Sequence, residues 1–219
     1  MRIGIVGAGR IGGNCARQFA KGGHEVKLSG RDLSKLEPLA DEIGDAASVG
    51  TPAEAAEFGE VVVFAVPWDG FDDAVTSAGD LSGKIIIDTT NQYGSSEMPA
   101  EGQTGASFHA ARVDGARYTK SFNTLTAAFQ AEAAFRPEAE RVVQWVCGDD
   151  VAAKQVVMGL IDDAGYAPMD FGRNEDAAVM EAPRRPGAVY GDEYRLPEAE
   201  KVVQAVQSGE PIPPAPDYS

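Results

Sequence analysis

The 219 residues predict an α/β protein built on one doubly wound, mainly parallel sheet, with a C-terminal extension and a helical arm. Three observations carry this. Short apolar runs alternate with segments of helical period along most of the chain. VVVFAV (61–66) is apolar throughout and KIIIDTTN (84–91) holds three consecutive isoleucines, as strands covered on both faces do. The first strand-like run passes at once into a glycine-rich turn, IVGAGRIGG, that opens a helix.

The elements follow in order. Arg2–Val6 reads as a buried strand, Gly7–Gly13 as a turn, and Arg10–Ala20 as a helix closed by Gly22 and Gly23. Glu25–Ser29 is the second strand. Leu33, Leu36, Leu39, Ala40 and Ile43 have helical spacing, and Pro38 is placed to kink that helix or delay its start. Ala47–Val49 is a weak strand. Thr51 supplies a cap and Pro52 the first position of the next helix. After the two apolar runs, a polar loop from Gln92 to Gln103 leads to a helix at Gly105–Arg112, a strand at Arg117–Phe122 and a helix from Thr124 to Phe135. Val142–Gly148 is a strand and Val151–Ala164 a helix capped by Asp149 or Asp150. Tyr166–Phe171 is a final strand that Pro168 puts at an edge, and Asn174–Glu181 a short helix.

Composition shifts after Pro183. Residues 1–183 read as a nucleotide-binding domain. Residues 184–219 hold one helix, Pro197–Gln207, and a proline-rich end; they read as an arm packed on the domain or on a partner subunit of a homodimer. The stretch APRRPGAVYGDEYR gathers Arg184, Arg185, Tyr190, Tyr194 and Arg195 in an otherwise acidic chain. It suits either a lid bringing cations and aromatic faces to an anionic planar ligand, or a surface clasp.

A formal charge of −15 argues against general affinity for nucleic acid or anionic membranes. An anionic ligand has to meet locally concentrated positive charge. No apolar run has the length of a membrane span, and the N-terminus lacks the organisation of a signal peptide, so a cytoplasmic location is expected. Cys15 and Cys147 stand alone in apolar surroundings and read as buried reduced thiols; nothing groups as metal ligands.

The turn supplies Gly7, Gly9 and Gly12 in GxGxxG spacing. Gly7 permits the bend, Gly9 lets the backbone approach a pyrophosphate, and Gly12 lets helix and strand pack closely. The helix start, with Arg10 and Ile11, aims free N–H groups at the phosphates. An acid at the end of the second strand would bind the ribose hydroxyls of NAD. Here the chain has Ser29, Gly30 and Arg31, with Lys35 one turn on. A hydroxyl and a guanidinium suit a 2′-phosphate, so NADP(H) is the expected cofactor. Asp32 opposes this unless it caps the following helix.

GAGRIGG, SGRD, FAVPW, DTTN, KSFNT and GDD, in that order, resemble the NADPH-dependent reductases of the deazaflavin coenzyme F420, over about Met1 to Glu181. They are also similar to the cytosolic dinucleotide-binding domain of membrane ferric reductases. The resemblance implies a Rossmann fold, NADP, and direct hydride transfer to a second ring system, a deazaflavin or flavin. It places Gly7–Gly12 on the pyrophosphate, Ser29 and Arg31 on the 2′-phosphate, and Val66, Pro67 and Trp68 along the cofactor. It places Asn91, Asn123 and Thr124 on the nicotinamide side. Gly30 separates the family's adjacent Ser-Arg pair, and the family's compact ending is not matched after Pro183.

No catalytic constellation stands out. His24 and His109 read as satisfied or exposed, and Asp88 as a carboxylate anchoring the following loop. Lys120 is the one candidate proton donor, with contact to a phosphate or carbonyl as its alternative role. Hydride transfer between stacked rings needs alignment more than acid–base groups. An NADPH-dependent reductase of a small carbonyl or imine, or a non-catalytic NADP-sensing module, are the other readings.

Overall fold

The computed structural model describes residues 1–94, 96–183 and 187–218. Their strands are β1 (Arg2–Val6), β2 (Glu25–Ser29), β3 (Ala47–Val49), β4 (Val61–Phe64), β5 (Ile85–Asp88), β6 (Arg117–Ser121), β7 (Val143–Cys147) and β8 (Ala167–Gly172). They form one sheet in the order β3-β2-β1-β4-β5-β6-β7-β8. Every pairing is parallel except β6 with β7. This is the doubly wound, Rossmann-like α/β fold that the alternation predicts. The order reverses beside β1, and ligands in such sheets bind at the carboxyl ends of the strands near that crossing.

The helices are α1 (Arg10–Lys21), α2 (Glu37–Ile43), α3 (Pro52–Phe58), α4 (Phe71–Ala78), α5 (Gly105–Ala110), α6 (Ala127–Ala133), α7 (Val151–Asp163) and α8 (Leu196–Ser208). Two cores lie on opposite faces of the sheet. Val61 and Val63 join Phe19, Leu28 and Ile87 in one, and Val62 and Phe64 join Ile86 and Trp145 in the other. The period of two sends alternate side chains to opposite faces, and here each face is covered. The apolar run 61–66 therefore carries no polar alternation.

Several boundaries move for identifiable reasons. Pro38 does delay its helix: Leu33–Lys35 is a 3-10 turn, and α2 begins at Glu37 with the proline at its second position. The helix expected from Thr124 starts at Ala127, where the Thr126 hydroxyl accepts the Phe129 N–H. Asp150 caps α7 through the Ala153 N–H, while Arg117 grips the same carboxylate at 2.6 and 3.0 Å. The short segment Asn174–Met180 is 3-10 rather than α. Helix α4 buries Phe71, Ala74 and Ala78 on one face and was not among the elements expected from the sequence.

The described residues after Pro183 pack against the second core. The Tyr194 ring meets Trp145 edge-on at 5.6 Å, and its carbonyl accepts the Val143 N–H. Ala199 and Val202 of α8 are fully buried. Farther along, the Tyr218 hydroxyl donates to Glu198 and accepts the Arg195 N–H. Arg184 and Arg185, part of the suggested lid, lie outside the described residues. Among the described residues no helix is long and apolar enough to cross a membrane.

Candidate functional site

The glycine turn joins the carboxyl end of β1 to α1. The N–H groups of Gly7 and Ala8 both donate to the Ser29 carbonyl at 3.0 Å, holding the turn against the end of β2. Gly7 has φ +94°, and a Cβ there would lie 2.7 Å from the Ala65 carbonyl oxygen. A Cβ on Gly12 would stand 2.3 Å from the Gly7 oxygen. Around Gly9 the space is open. Gly9 is also the N-cap of α1; no side chain caps the helix and its first turn has no acid. The N–H groups of Arg10, Ile11 and Gly12 thus have no partner inside the helix. An open approach, free donors and the positive end of a helix dipole fit a pyrophosphate.

Past β2 the expectations divide. Ser29 is a correction: it is fully buried, and its hydroxyl donates to the Ile5 carbonyl at 2.9 Å. Ser29 closes strand β2, and its bond to the Ile5 carbonyl fastens β2 to β1. Gly30 is the first residue beyond the strand. A Cβ there would meet only Leu36 Cδ1, at 3.6 Å. Arg31 is exposed and has no ion-pair partner among the described residues. Lys35 is also exposed, and pairs with Asp32 at 3.2 Å. Asp32 caps nothing through its side chain. The Ser34 hydroxyl, then Lys35, hold its carboxyl below the usual range, so it stays an anion beside Arg31.

At the carboxyl end of β4, Val66 is half-buried and Pro67 exposed. Trp68 departs from the expected cofactor contact. Its ring is buried, stacked 4.0 Å from His109 and 5.5 Å from Phe108, and its indole N–H donates to the Glu97 carbonyl. That ring braces the loops beneath the surface. The space beside it, about 40 Å³ and bordered by His109 and Glu97, has room for a water and not for a nucleotide.

Asn91 and Asn123 meet at the ends of β5 and β6. The Asn91 amide donates to the Asn123 carbonyl at 2.8 Å, and the Asn123 amide donates to Asn91 Oδ1 at 3.2 Å and to the Met180 carbonyl at 2.6 Å. Phe122, fully buried, takes φ +57° to turn the chain here. A non-glycine residue held in that region marks a position that its surroundings over-determine. Asn123 Oδ1 and Thr124 Oγ1 are buried with no hydrogen-bond partner among the described residues. The segment after β8 crosses this corner. Ala182 N–H donates to Asn91 Oδ1, and Gly191 N–H to the Thr124 carbonyl. The Glu181 carboxylate accepts from the Gly105 and Ala106 N–H groups and from Gln92.

Directly behind the asparagines lies an enclosed polar cluster. Asp88 Oδ2 accepts from Tyr118 at 2.6 Å, contacts His109 Nδ1 at 3.0 Å and Lys120 Nζ at 3.2 Å; Asp88 Oδ1 accepts the Thr90 N–H at 2.7 Å. The side chains of Asp88 and Lys120 are 0% exposed. Burial works against the Asp88 anion, yet the Lys120 charge and the bonds from His109 and Tyr118 hold its carboxyl well below the usual range. Burial and the Asp88 charge push the Tyr118 phenol well up. Lys120, expected as the weak catalytic candidate, is thereby enclosed and paired, its side chain out of contact with solvent. Asp88 is the loop anchor that its place in the sequence suggests. Tyr118 and Thr90 were missed, and only their positions next to Lys120 and after Asp88 could have signalled them. Cys15 and Cys147 are fully buried; burial pushes the Cys15 thiol up to about 12, and the Cys147 thiol up as well.

Residues 2–92 match the protein family described as NADP oxidoreductase, coenzyme F420-dependent. The rat metalloreductase STEAP3 is 26% identical over 181 residues, covering 83% of this chain; the chain spans 36% of that relative's length. A hypothetical protein from Sinorhizobium meliloti superposes with TM-score 0.78 at 26% identity, covering 90% of this chain and 95% of its own. A candidate F420-dependent NADP-reductase from Arthrobacter sp. FB24 superposes with TM-score 0.68 at 26% identity, covering 81% and 87%. Residues 2–92 thus resemble the NADP oxidoreductases of that family, and the chain shares its sheet with these two solved neighbours.

Proposed function

We propose that this enzyme transfers a hydride between NADPH and a deazaflavin (coenzyme F420) or flavin-like acceptor. In this reading the Gly7–Gly12 turn, with Arg10 and Ile11, holds the pyrophosphate. Arg31, with Lys35 swinging from Asp32, takes the 2′-phosphate. Val66 and Pro67 border the cofactor. Asn123 and Thr124, steadied by Asn91, border the nicotinamide, where their unpartnered oxygens suit the carboxamide N–H groups. The cofactor carries the hydride. The chain's own part is to bind, orient and exclude water.

One observation carries the reading. The carboxylate, imidazole and ammonium behind the asparagines, Asp88, His109 and Lys120, are enclosed and bonded to one another, and the Tyr190 phenol at the corner is pushed up, which makes it a poor acid. A carbonyl or imine reductase needs a proton donor facing its substrate. Transfer between two rings needs only their alignment. The name of the Arthrobacter protein, a candidate F420-dependent NADP-reductase, supports the same acceptor. The same reading takes the enzyme to be a cytoplasmic homodimer, which light scattering of the purified protein tests for stoichiometry.

The decisive experiment mixes the protein with NADPH and oxidised F420, or with FMN, and follows the acceptor's visible absorbance. Catalytic bleaching supports the proposal. NADPH oxidation with cyclic imines or carbonyls but with neither heterocycle overturns it. Tight NADPH binding without turnover on any acceptor would make the protein a sensor.

A further inference from the structure

Two phenols meet above the asparagine corner. Tyr93 stands two residues beyond Asn91, on the loop after β5, and is 57% exposed. Tyr190 precedes Gly191, whose N–H is bonded to the Thr124 carbonyl. The two hydroxyls are 3.4 Å apart; the ring centroids are 6.5 Å apart and the planes tilted by 59°. Main chain thus tethers each tyrosine to one side of the site formed by Asn91, Asn123 and Thr124.

We propose that Tyr93 and Tyr190 form the subsite that recognises the hydride acceptor, a planar, electron-poor heterocycle bearing a ring carbonyl. This rests on the reading above that the asparagine corner borders the nicotinamide. The geometry supports it in three ways. Rings this far apart and this tilted do not stack on each other, and Tyr93, 57% exposed, keeps a face open for stacking. One proton fills the contact between the two hydroxyls and the other is left to donate, because among the described residues the Tyr190 hydroxyl has no other partner. Burial, then the contact with Tyr93, push the Tyr190 phenol up, so it remains a neutral donor through the working range. A neutral donor serves a ring carbonyl that gains electron density on reduction, and it does so without adding charge to an acidic chain. A small aliphatic imine would gain little from two open aromatic faces.

The test uses the full-length protein and the variants Tyr93→Ala and Tyr190→Phe. NADPH dissociation constants come from calorimetry, and KM and kcat from turnover of F420 or FMN. Losing one stacking face is expected to raise the acceptor KM by about tenfold in Tyr93→Ala. Losing the free donor is expected to raise it about three- to tenfold in Tyr190→Phe. In both, NADPH affinity should stay within about twofold of the wild type, and in Tyr190→Phe kcat should fall as well, because the lost donor meets charge that grows on reduction. Unchanged acceptor KM in both variants overturns the proposal, and so does an equal weakening of NADPH binding. If the wild type turns over neither heterocycle, the failure lies with the hydride-transfer reading. The subsite is then read by quenching titration of oxidised FMN or F420 into the NADP⁺-bound protein. Binding that is lost in Tyr93→Ala supports it, and no binding to the wild type sinks it.

Discussion

Replacing Lys120 by methionine is the most informative single change. Methionine fills a similar volume, so little cavity is left. It removes the cation 3.2 Å from Asp88 in a place where neither side chain touches solvent. Breaking a buried pair by removing one partner costs about 3–5 kcal/mol, because the other charge stays buried and uncompensated. Asp88 keeps its bonds from Tyr118, His109 and the Thr90 N–H, so the lower end, about 3 kcal/mol, is expected. For a chain of this length each kcal/mol moves Tm by about 2–4 °C, giving a fall of about 6–12 °C. Urea unfolding followed by tryptophan fluorescence measures the change in free energy. The double variant Lys120→Met/Asp88→Asn removes both charges and keeps a neutral acceptor, so it should recover at least about 1.5 kcal/mol of the loss. The pH dependence has a defined sign. The folded pKa of Asp88 is depressed, so its contribution is full above the unfolded value near pH 4 and fades as pH falls below it. The gap between wild type and Lys120→Met should therefore narrow below about pH 4. A loss under about 1 kcal/mol, or strict additivity in the double variant, would refute the enclosed-pair account.

The remaining predictions concern the phosphate end. Arg31→Ala should weaken NADPH by about ten- to a hundredfold while changing NADH much less, the cost of one charge-assisted bond; calorimetry with both nucleotides decides. Ser29→Ala should lower stability by about 1 kcal/mol and leave the NADPH-to-NADH ratio unchanged, because its hydroxyl serves the Ile5 carbonyl. Gly30→Ser should tighten NADPH by about three- to tenfold, since the site has room for a Cβ and the new hydroxyl stands beside Arg31.

The fold was legible because its signals are local and redundant. The runs 61–66 and 84–91 announce strands covered on both faces, and Thr51 with Glu54 forms the capping box suggested by the threonine and proline. What stayed hidden depends on contacts distant in sequence. Nothing within 142–148 says that β7 pairs antiparallel with β6, because an apolar run has no direction. Helix α4, FDDAVTSA, is defined by Phe71, Ala74 and Ala78 packing inward, and its Asp, Thr and Ser residues obscure that stripe.

The site divides along the same line. Gly7 and Gly12 were readable because a missing side chain is itself the signal, and the clashes a Cβ would meet at each bear out the need for glycine. Ser29 was misplaced because residue type alone cannot distinguish a hydroxyl facing a ligand from one facing a neighbouring strand. The neighbouring strand decides that: the strand ends at Ser29 as expected, and the pairing of β2 with β1 brings its hydroxyl onto the Ile5 carbonyl. Gly30, not Ser29, adjoins Arg31 outside the sheet, in the place where the resemblance to the F420 reductases implies the serine of a Ser-Arg pair. In the proposed reading the guanidinium is left as the principal discriminator of the 2′-phosphate, and the exposed Asp32 carboxylate beside it works against that role. Gly30→Ser would restore the missing hydroxyl without removing that anion. A gain in NADPH affinity there would show that the serine's position, more than its presence, is what the binding site uses.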